Sequence, residues 1–350
     1  MATSLSQVYR DTHHHPKHII PLDFDTVHEL PDSHAWIQTD DFSCAYQICM
    51  NELPTIIPVI DLQAPNVVEL MGNACQRWGM FQVTNHDISS SLVDDVVEHA
   101  RRLFALPAER KLKALRSPSG ATGYGVARIS PFFSKLMWHE GFTIMGLPMS
   151  MLNSFGHHYE DFCDVMDNYQ KKMKSLAYKI LLLLLKSLGV DEEDQQLLCS
   201  SSASLYLSES ALQLNSYPTC PNPNRAVGLA PHTDSLLLTI LHQNDINGLQ
   251  IFQEGIGWTP VPPVPGALIV NIGDLMHIIS NARFPTVCHR VVPNETRHRF
   301  SIACFYGPPA DSVVAPLSKL QIPRFRPVTV KEYISLKSKH LEEALHLLRI

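Results

Sequence analysis

No block of lysine and arginine runs anywhere along this chain. Its 28 basic residues are scattered among 34 acidic ones, for a net charge of −6. Nucleic-acid binding needs positive charge clustered along the phosphate path, so no nucleic-acid partner is expected. The eight cysteines (Cys44, Cys49, Cys75, Cys163, Cys199, Cys220, Cys288 and Cys304) include no Cys-x-x-Cys pair. Most lie in apolar stretches, as free buried thiols do, rather than in a disulfide framework. Long apolar runs are missing too. The longest, residues 180–185, is far too short to span a bilayer, and residues 1–10 lack the apolar core of a signal peptide. The expectation is a cytoplasmic monomer, with the nucleus as a further location and no membrane partner. No internal repeat is visible.

What is present points to one large domain or two modest ones, long enough at 350 residues to bury most of the apolar surface. Twenty-five prolines suit many turns and short strands better than a helical bundle. Residues 1–55 are polar, include His13-His14-His15-Pro16-Lys17-His18, and are expected to form a flexible arm. Within it, Leu30-Pro31-Asp32-Ser33-His34-Ala35-Trp36 has the look of an ordered stretch packing on the domain.

Residues 56–200 are expected to be a helical and strand region packing on the core. A strand is expected at 56–62. A helix at 67–78 carries Val68, Met71, Ala74, Cys75 and Trp78 at helical spacing, with Gly79 as its stop. A strand at 80–83 follows, then a helix at 92–106 with serine caps at 89–91, halted by Pro107. Gly120, Gly123 and Gly125 mark a loop without the strand–helix context of a phosphate site. Residues 131–150 read as a meandering cover. A long helix at 159–188, ended by Gly189, bears the stripe Phe162, Met166, Tyr169, Met173, Leu176, Ile180 and Leu184.

From 201 to 315 the pattern changes to short apolar segments at 212–217, 236–241, 249–252, 267–272, 288–292 and 300–306. Such segments, broken by turn residues, suggest a sandwich or barrel. Residues 316–350 are a loop and an amphipathic helix at 330–348.

The candidate chemistry begins at Pro231-His232-Thr233-Asp234. On an extended strand, His232 and Asp234 would project to one face, with Thr233 turned away. They would supply two ligands of a two-histidine, one-carboxylate site for non-haem Fe(II). Of the later histidines, His242 reads as a turn residue and His277 as a hydrogen-bonded core residue. His340 and His346 lie on the C-terminal helix. A hairpin turning near residue 295 would place His289 opposite Ser301 and Val291 opposite Arg299, so that His289, Arg299 and Ser301 share a face and His298 points away. Arg299 and Ser301 together suit a carboxylate, as for a small dicarboxylate reaching to the metal; a structural ion pair is the alternative. Tyr217 could add a second hydroxyl.

These residues resemble the plant Fe(II)- and 2-oxoglutarate-dependent dioxygenases. His232-x-Asp234, His289 and Arg299-x-Ser301 match that family's signature in order and spacing. Asn215-Ser216-Tyr217-Pro218-Thr219-Cys220 looks like its Asn-x-Tyr-Pro-x-Cys motif, and Trp78-Gly79-x-Phe81-x-Val83-x-Asn85-His86 its N-terminal region. Asp87 stands where the family usually has glycine, in a turn away from the chemistry. Leu30-Pro31-x-Ser33-His34-x-Trp36, Gly123-Tyr124-Gly125-Val126-Ala127-Arg128-Ile129 and Met137-Trp138-x-Glu140-Gly141-Phe142-Thr143 look like the gibberellin 3-beta-dioxygenases within it. The Leu-Pro-Trp-Lys-Glu-Thr run of the 20-oxidases is absent.

The resemblance implies an α+β fold with a mainly β core: a double-stranded β-helix (jelly roll) flanked by N-terminal helices, one long central helix and a C-terminal helix. It implies Fe(II) on His232, Asp234 and His289; 2-oxoglutarate as cosubstrate with Arg299, Ser301, Tyr217 and Asn215; O2; and stimulation by ascorbate. No protein nucleophile or acid–base pair is called for beyond the metal centre. The implied substrate is a rigid apolar diterpenoid bearing a carboxylate, hydroxylated at the 3-beta position in gibberellin biosynthesis. Tyr124, Phe133, Arg128 and Lys135 are candidates to line its site, the last two as carboxylate anchors or as ordinary solvated charges. Rival readings are a gibberellin 2-oxidase, a flavonoid hydroxylase, a non-catalytic hormone-binding protein and a hydrolytic zinc site.

Overall fold

The computed structural model of the chain describes residues 18–36, 57–118, 120–145, 160–191, 209–320 and 322–350. The histidine run at 13–17, the rest of the expected arm outside 18–36, residues 146–150 of the expected cover, residue 159 at the start of the long helix, and Cys44, Cys49 and Cys199 lie outside the described residues.

The first strand, β1 (Val59–Asp61), leads to helix α1 (Val67–Trp78), whose buried Met71, Ala74, Cys75 and Trp78 follow the expected stripe. Gly79 ends it in the left-handed region at φ 63°, where an added Cβ would come within 2.5 Å of Pro285 O. Strand β2 (Met80–Thr84) and helix α2 (Ser90–Phe104) follow. The Ser89 hydroxyl accepts from the Leu92 N–H and caps α2. Between them Asp87 holds φ 62°, a conformation that the short polar side chain tolerates. Next come the short helix α3 (Ala108–Leu112), the edge strand β3 (Gly123–Gly125) and β4 (Glu140–Met145). The last two replace the expected loop and cover. β4 is buried on both faces, so it carries no alternation of polar and apolar residues. Helix α4 (Glu160–Ser187) buries Phe162, Met166, Tyr169, Met173, Leu176, Ile180 and Leu184.

The remaining strands of the two large sheets are β5 (Glu209–Tyr217), β6 (Leu229–His232), β7 (Leu238–Gln243), β8 (Leu249–Gln253), β9 (Gly257–Pro260), β10 (Leu268–Ile272), β11 (His289–Val291) and β12 (Arg299–Gly307). They form an eight-stranded sheet, β1-β2-β10-β7-β12-β5-β4-β3, and a four-stranded sheet, β6-β11-β8-β9. From β5 to β12 the chain passes back and forth between the two sheets, which is the expected jelly roll. Their inner faces meet in a cluster that includes Tyr217, Leu241, Ile269 and Ala303 from one sheet and Leu249, Ile251 and Val291 from the other. The outer face of the large sheet is covered by α1, α2 and α4.

Two expectations need correction. β11 and β12 are not a hairpin: β11 pairs with β6 and β8, and β12 with β5 and β7. The turn at 293–296 carries the chain between sheets, with Asn294 Oδ1 accepting from Thr296 and Arg297 N–H and its carbonyl from Cys220 N–H. The C-terminal helix also stops early. Helix α6 (Val330–His340), which follows the short helix α5 (Asp274–Ile279), ends at Leu341 with φ 45°, and the rest is short 3-10 turns. That break returns Glu342 to Thr233.

Candidate metal centre

β6 ends at His232, and Asp234 sits in the turn that follows, rather than on a continuing strand. His289 opens β11 and is the direct register partner of His232. The turn lets the carboxylate swing between the two imidazoles: Asp234 Oδ1 lies 3.8 Å from His232 Nε2 and 3.9 Å from His289 Nε2. One ligand atom from each residue falls within 4.8 Å of the others. Among the described residues this is the only grouping of three such side chains.

Each donor is aimed by a second contact. His232 Nδ1 donates to Ala230 O at 2.9 Å, and His289 Nδ1 to Val287 O at 3.1 Å. A carbonyl can only accept, so both Nε2 lone pairs face inward. Asn271 Nδ2 donates to Asp234 Oδ2 at 3.2 Å. Burial, then the neighbouring His289, pushes His232 down to about 3, so it stays a neutral ligand. Burial works to raise Asp234, but the two imidazoles and hydrogen bonds outweigh it and keep the carboxyl below its ordinary value. Two imidazoles and one carboxylate, mutually oriented in a largely buried site, fit a divalent iron with open positions.

Thr233, between the ligands, turns away into a polar cluster from the C-terminal segment. Its N–H donates to Glu342 Oε1 at 3.0 Å, and its hydroxyl accepts from Lys337 Nζ at 2.5 Å. Lys337 also pairs with Asp274 Oδ2 at 2.9 Å. Asp274 is fully buried and accepts from Tyr333 and Thr286, while its N–H donates to Asp234 O.

Facing this from the large sheet, Arg299 stands opposite Tyr217 and Ser301 opposite Asn215. Arg299 is 1% exposed and donates from Nη2 to Gln243 Oε1 at 2.7 Å, while its Nε and Nη1 have no acceptor. Its guanidinium lies 5.1 Å from the centre of the Tyr217 ring. Burial pushes Arg299 down and the Tyr217 phenol up. Among the described residues no carboxylate pairs with Arg299. A buried guanidinium with open donors, beside two hydroxyls, suits the far carboxylate of a small dicarboxylate such as 2-oxoglutarate. His289 and Arg299 therefore face one interior from opposite sheets, not from neighbouring strands. His298 points outward, bonded to Ser216 Oγ at 2.8 Å and stacked on Phe300. His242 lies within β7, and His277 Nδ1 donates to Phe284 O.

The substrate candidates are scattered. Tyr124 lies on the outer face of the sheet and donates to Glu140, itself bonded to Lys111. Arg128 donates to Gly120 O, and the half-buried Lys135 to Asp32 O. Phe133 joins Trp36, Met137, Val227 and Ala230 in an apolar cluster beside the His232 strand. His139 fills the variable position of Met137-Trp138-x-Glu140. It is buried and donates from Nε2 to Asn215 Oδ1 at 2.9 Å. Only the strand register of β4 on β5 could have revealed it.

Residues 208–308 match the 2OG-Fe(II) oxygenase superfamily, and residues 57–158 match the N-terminal region described as that of non-haem dioxygenases in morphine synthesis. The chain is 48% identical to gibberellin 3-beta-dioxygenase 1 of Pisum sativum, covering 99% of this chain and 94% of that protein. It is 45% identical to gibberellin 3-beta-dioxygenase 1 of Arabidopsis thaliana, over 100% and 99%. Among solved structures, JOX2 in complex with 2OG, Fe and JA matches with a TM-score of 0.79 at 29% identity, over 93% of this chain and 95% of that one. The rice dioxygenase for auxin oxidation matches with a TM-score of 0.69 at 26% identity, over 84% and 100%. Similarity of this extent leaves one assignment: the chain belongs to the 2OG-Fe(II) oxygenase superfamily and, within it, to the family of the gibberellin 3-beta-dioxygenases.

Proposed function

We propose that this dioxygenase hydroxylates a gibberellin at the 3-beta position, with iron held by His232, Asp234 and His289. The observation that carries the reading is the pairing of this donor set with relatives of that name over almost the whole chain. Fe(II), 2-oxoglutarate and O2 together supply an oxidant able to hydroxylate an unactivated C–H bond, with succinate and CO2 as coproducts. The chain's own residues bind, orient and exclude water. Arg299, Ser301 and Tyr217 hold the far carboxylate of 2-oxoglutarate, and Asn215, bonded to His139 and facing Ser301, fixes that wall. The inward Nε2 atoms and the Asn271-held carboxylate would hold the metal. Phe133 and the apolar cluster beside it line the diterpenoid's approach.

The chain works on a small molecule as a cytoplasmic monomer, and in the nucleus as well. No helix among the described residues is long and apolar enough to cross a membrane. The test is turnover of a panel of gibberellin precursors with Fe(II), 2-oxoglutarate and ascorbate, read by mass spectrometry. A 3-beta-hydroxylated product that disappears in His232→Ala is expected. Hydroxylation only at another carbon, or of flavonoids alone, overturns the reading.

A further inference from the structure

One buried cation is not used by the metal centre or the cosubstrate wall. Arg116, just beyond α3, is 3% exposed. Its Nη2 donates to Val126 O at 3.1 Å, and its Nε has no acceptor. Among the described residues no carboxylate pairs with it. Its charged neighbour is a second guanidinium, Arg128, and burial together with that neighbour pushes Arg116 down to about 9. Burying a guanidinium without an anion is unfavourable, so the site is built for something that brings the negative charge with it.

The strand register shows where that cation faces. Gly125, Gly141, Asn215, Ser301 and Gln243 are successive partners across β3, β4, β5, β12 and β7. Directly opposed residues share a face, so all five belong to the inner face that carries the cosubstrate wall. Two of them are glycines. A Cβ on Gly125 would meet Ile19 O at 2.8 Å and lie in ordinary contact with Arg116 Cζ at 3.6 Å, and one on Gly141 would meet Gln213 Nε2 and lie 3.0 Å from His139 Cε1. Arg116 and His139 thus lie beside the bare backbone at 125 and 141. His139, bonded to Asn215 through Nε2, leaves its buried Nδ1 without a partner. Two strand spacings, about 10 Å, separate Gly125 from Asn215. That is the reach of a rigid polycyclic acid with one end near the metal and the other at the edge strand.

We propose that Arg116 is the anchor for the substrate's carboxylate, at the β3 end of the cross-strand row whose other end holds 2-oxoglutarate. The inference rests on the gibberellin reading above. It moves the anchoring role from Arg128 and Lys135, which are bonded to backbone carbonyls, to a residue the sequence did not single out.

The test compares a gibberellin precursor as free acid and as methyl ester, using the full chain with Fe(II), 2-oxoglutarate and ascorbate. Wild type should favour the acid in kcat/KM. In Arg116→Gln the KM for the acid should rise about 100-fold, as when one partner of a buried charge pair is truncated. The acid-to-ester preference should collapse, and Arg116→Lys should recover part of it. The ratio of the two substrates is insensitive to loss of folded protein, which scales both rates alike. An unchanged ratio in Arg116→Gln, or a wild type indifferent to esterification, overturns the anchor. A wild type that hydroxylates neither substrate at the 3-beta position instead overturns the gibberellin reading.

Discussion

Replacing Lys337 with methionine isolates what the C-terminal helix does for the metal-binding turn. The ammonium lies 2.9 Å from Asp274 Oδ2 and 2.5 Å from Thr233 Oγ1, and the Lys337 side chain is 9% exposed. Methionine keeps most of the stem and its packing but leaves the fully buried Asp274 without its cation. Removing one partner of a buried ion pair destabilises by roughly 3–5 kcal/mol. Hydroxyls of Tyr333, Thr286 and Thr233 still reach the carboxylate, so the lower end, about 3 kcal/mol, is expected. Adding Asp274→Asn removes the stranded charge and should recover at least half of the loss. Urea unfolding of the metal-free protein at pH 7, followed by tryptophan fluorescence, measures both. The site should respond as well. Thr233 lies between two metal ligands, so Lys337→Met should weaken Mn(II) or Co(II) binding by about tenfold or more, as outer-shell losses do. A single variant within about 0.5 kcal/mol of wild type, the range of an ordinary surface substitution, refutes the reasoning. So does a double variant no more stable than the single.

Three further outcomes are expected. Arg299→Lys loses the planar fork and should raise the apparent KM for 2-oxoglutarate roughly 100-fold in a succinate-release assay; a change below about threefold would argue against the assigned role. Gly273→Ala places a Cβ 2.1 Å from the Leu236 carbonyl oxygen and 3.0 Å from that of Asp234, both backbone atoms that cannot yield cheaply. It should lower stability by about 3 kcal/mol or more by urea unfolding, and a variant that folds normally contradicts the packing described. Burial pushes His34 and His139 down to about 4 from an unfolded value near 6.5. Below pH 6.5 the unfolded chain takes up protons that the folded chain does not. Each histidine should therefore remove about 2 kcal/mol between pH 6.5 and 5, with no contribution above 6.5 and a plateau below 4. Urea midpoints at pH 7, 6 and 5 should show this slope, flattened in His139→Asn.

Two of the candidate metal ligands, His232 and Asp234, were legible because they sit in a short motif whose chemistry is local. His232-x-Asp234 names two donors, and Arg299-x-Ser301 names a carboxylate partner. The expected hairpin separated His289 from His298 by a geometry the fold does not have: His289 is the register partner of His232 and groups with Asp234, while His298 bonds Ser216. An Asn-containing turn looks the same in sequence whether it closes a hairpin or carries the chain between sheets, and here it does the second. β4 was hidden for a related reason: a strand covered on both faces loses the alternation by which strands are read. Nothing local in the sequence marks Lys337, on an amphipathic helix, or Asp274 as buried. Arg116 and His139 gain their meaning only from the row of register partners running across five strands.

The clamp on Thr233 also sets an order of events during synthesis. Lys337 follows Thr233 by 104 residues, so at 5–20 residues per second the ribosome delivers it about 5–20 s later. Throughout that interval the nascent chain carries both ligands of the metal turn without the cation and carboxylate that hold the turn's back. A transcript truncated before codon 337 would therefore yield a protein with every metal ligand in its sequence and an unfinished turn to present them. Metal loading, rather than the loss of a surface helix, is where such a truncation should first be felt.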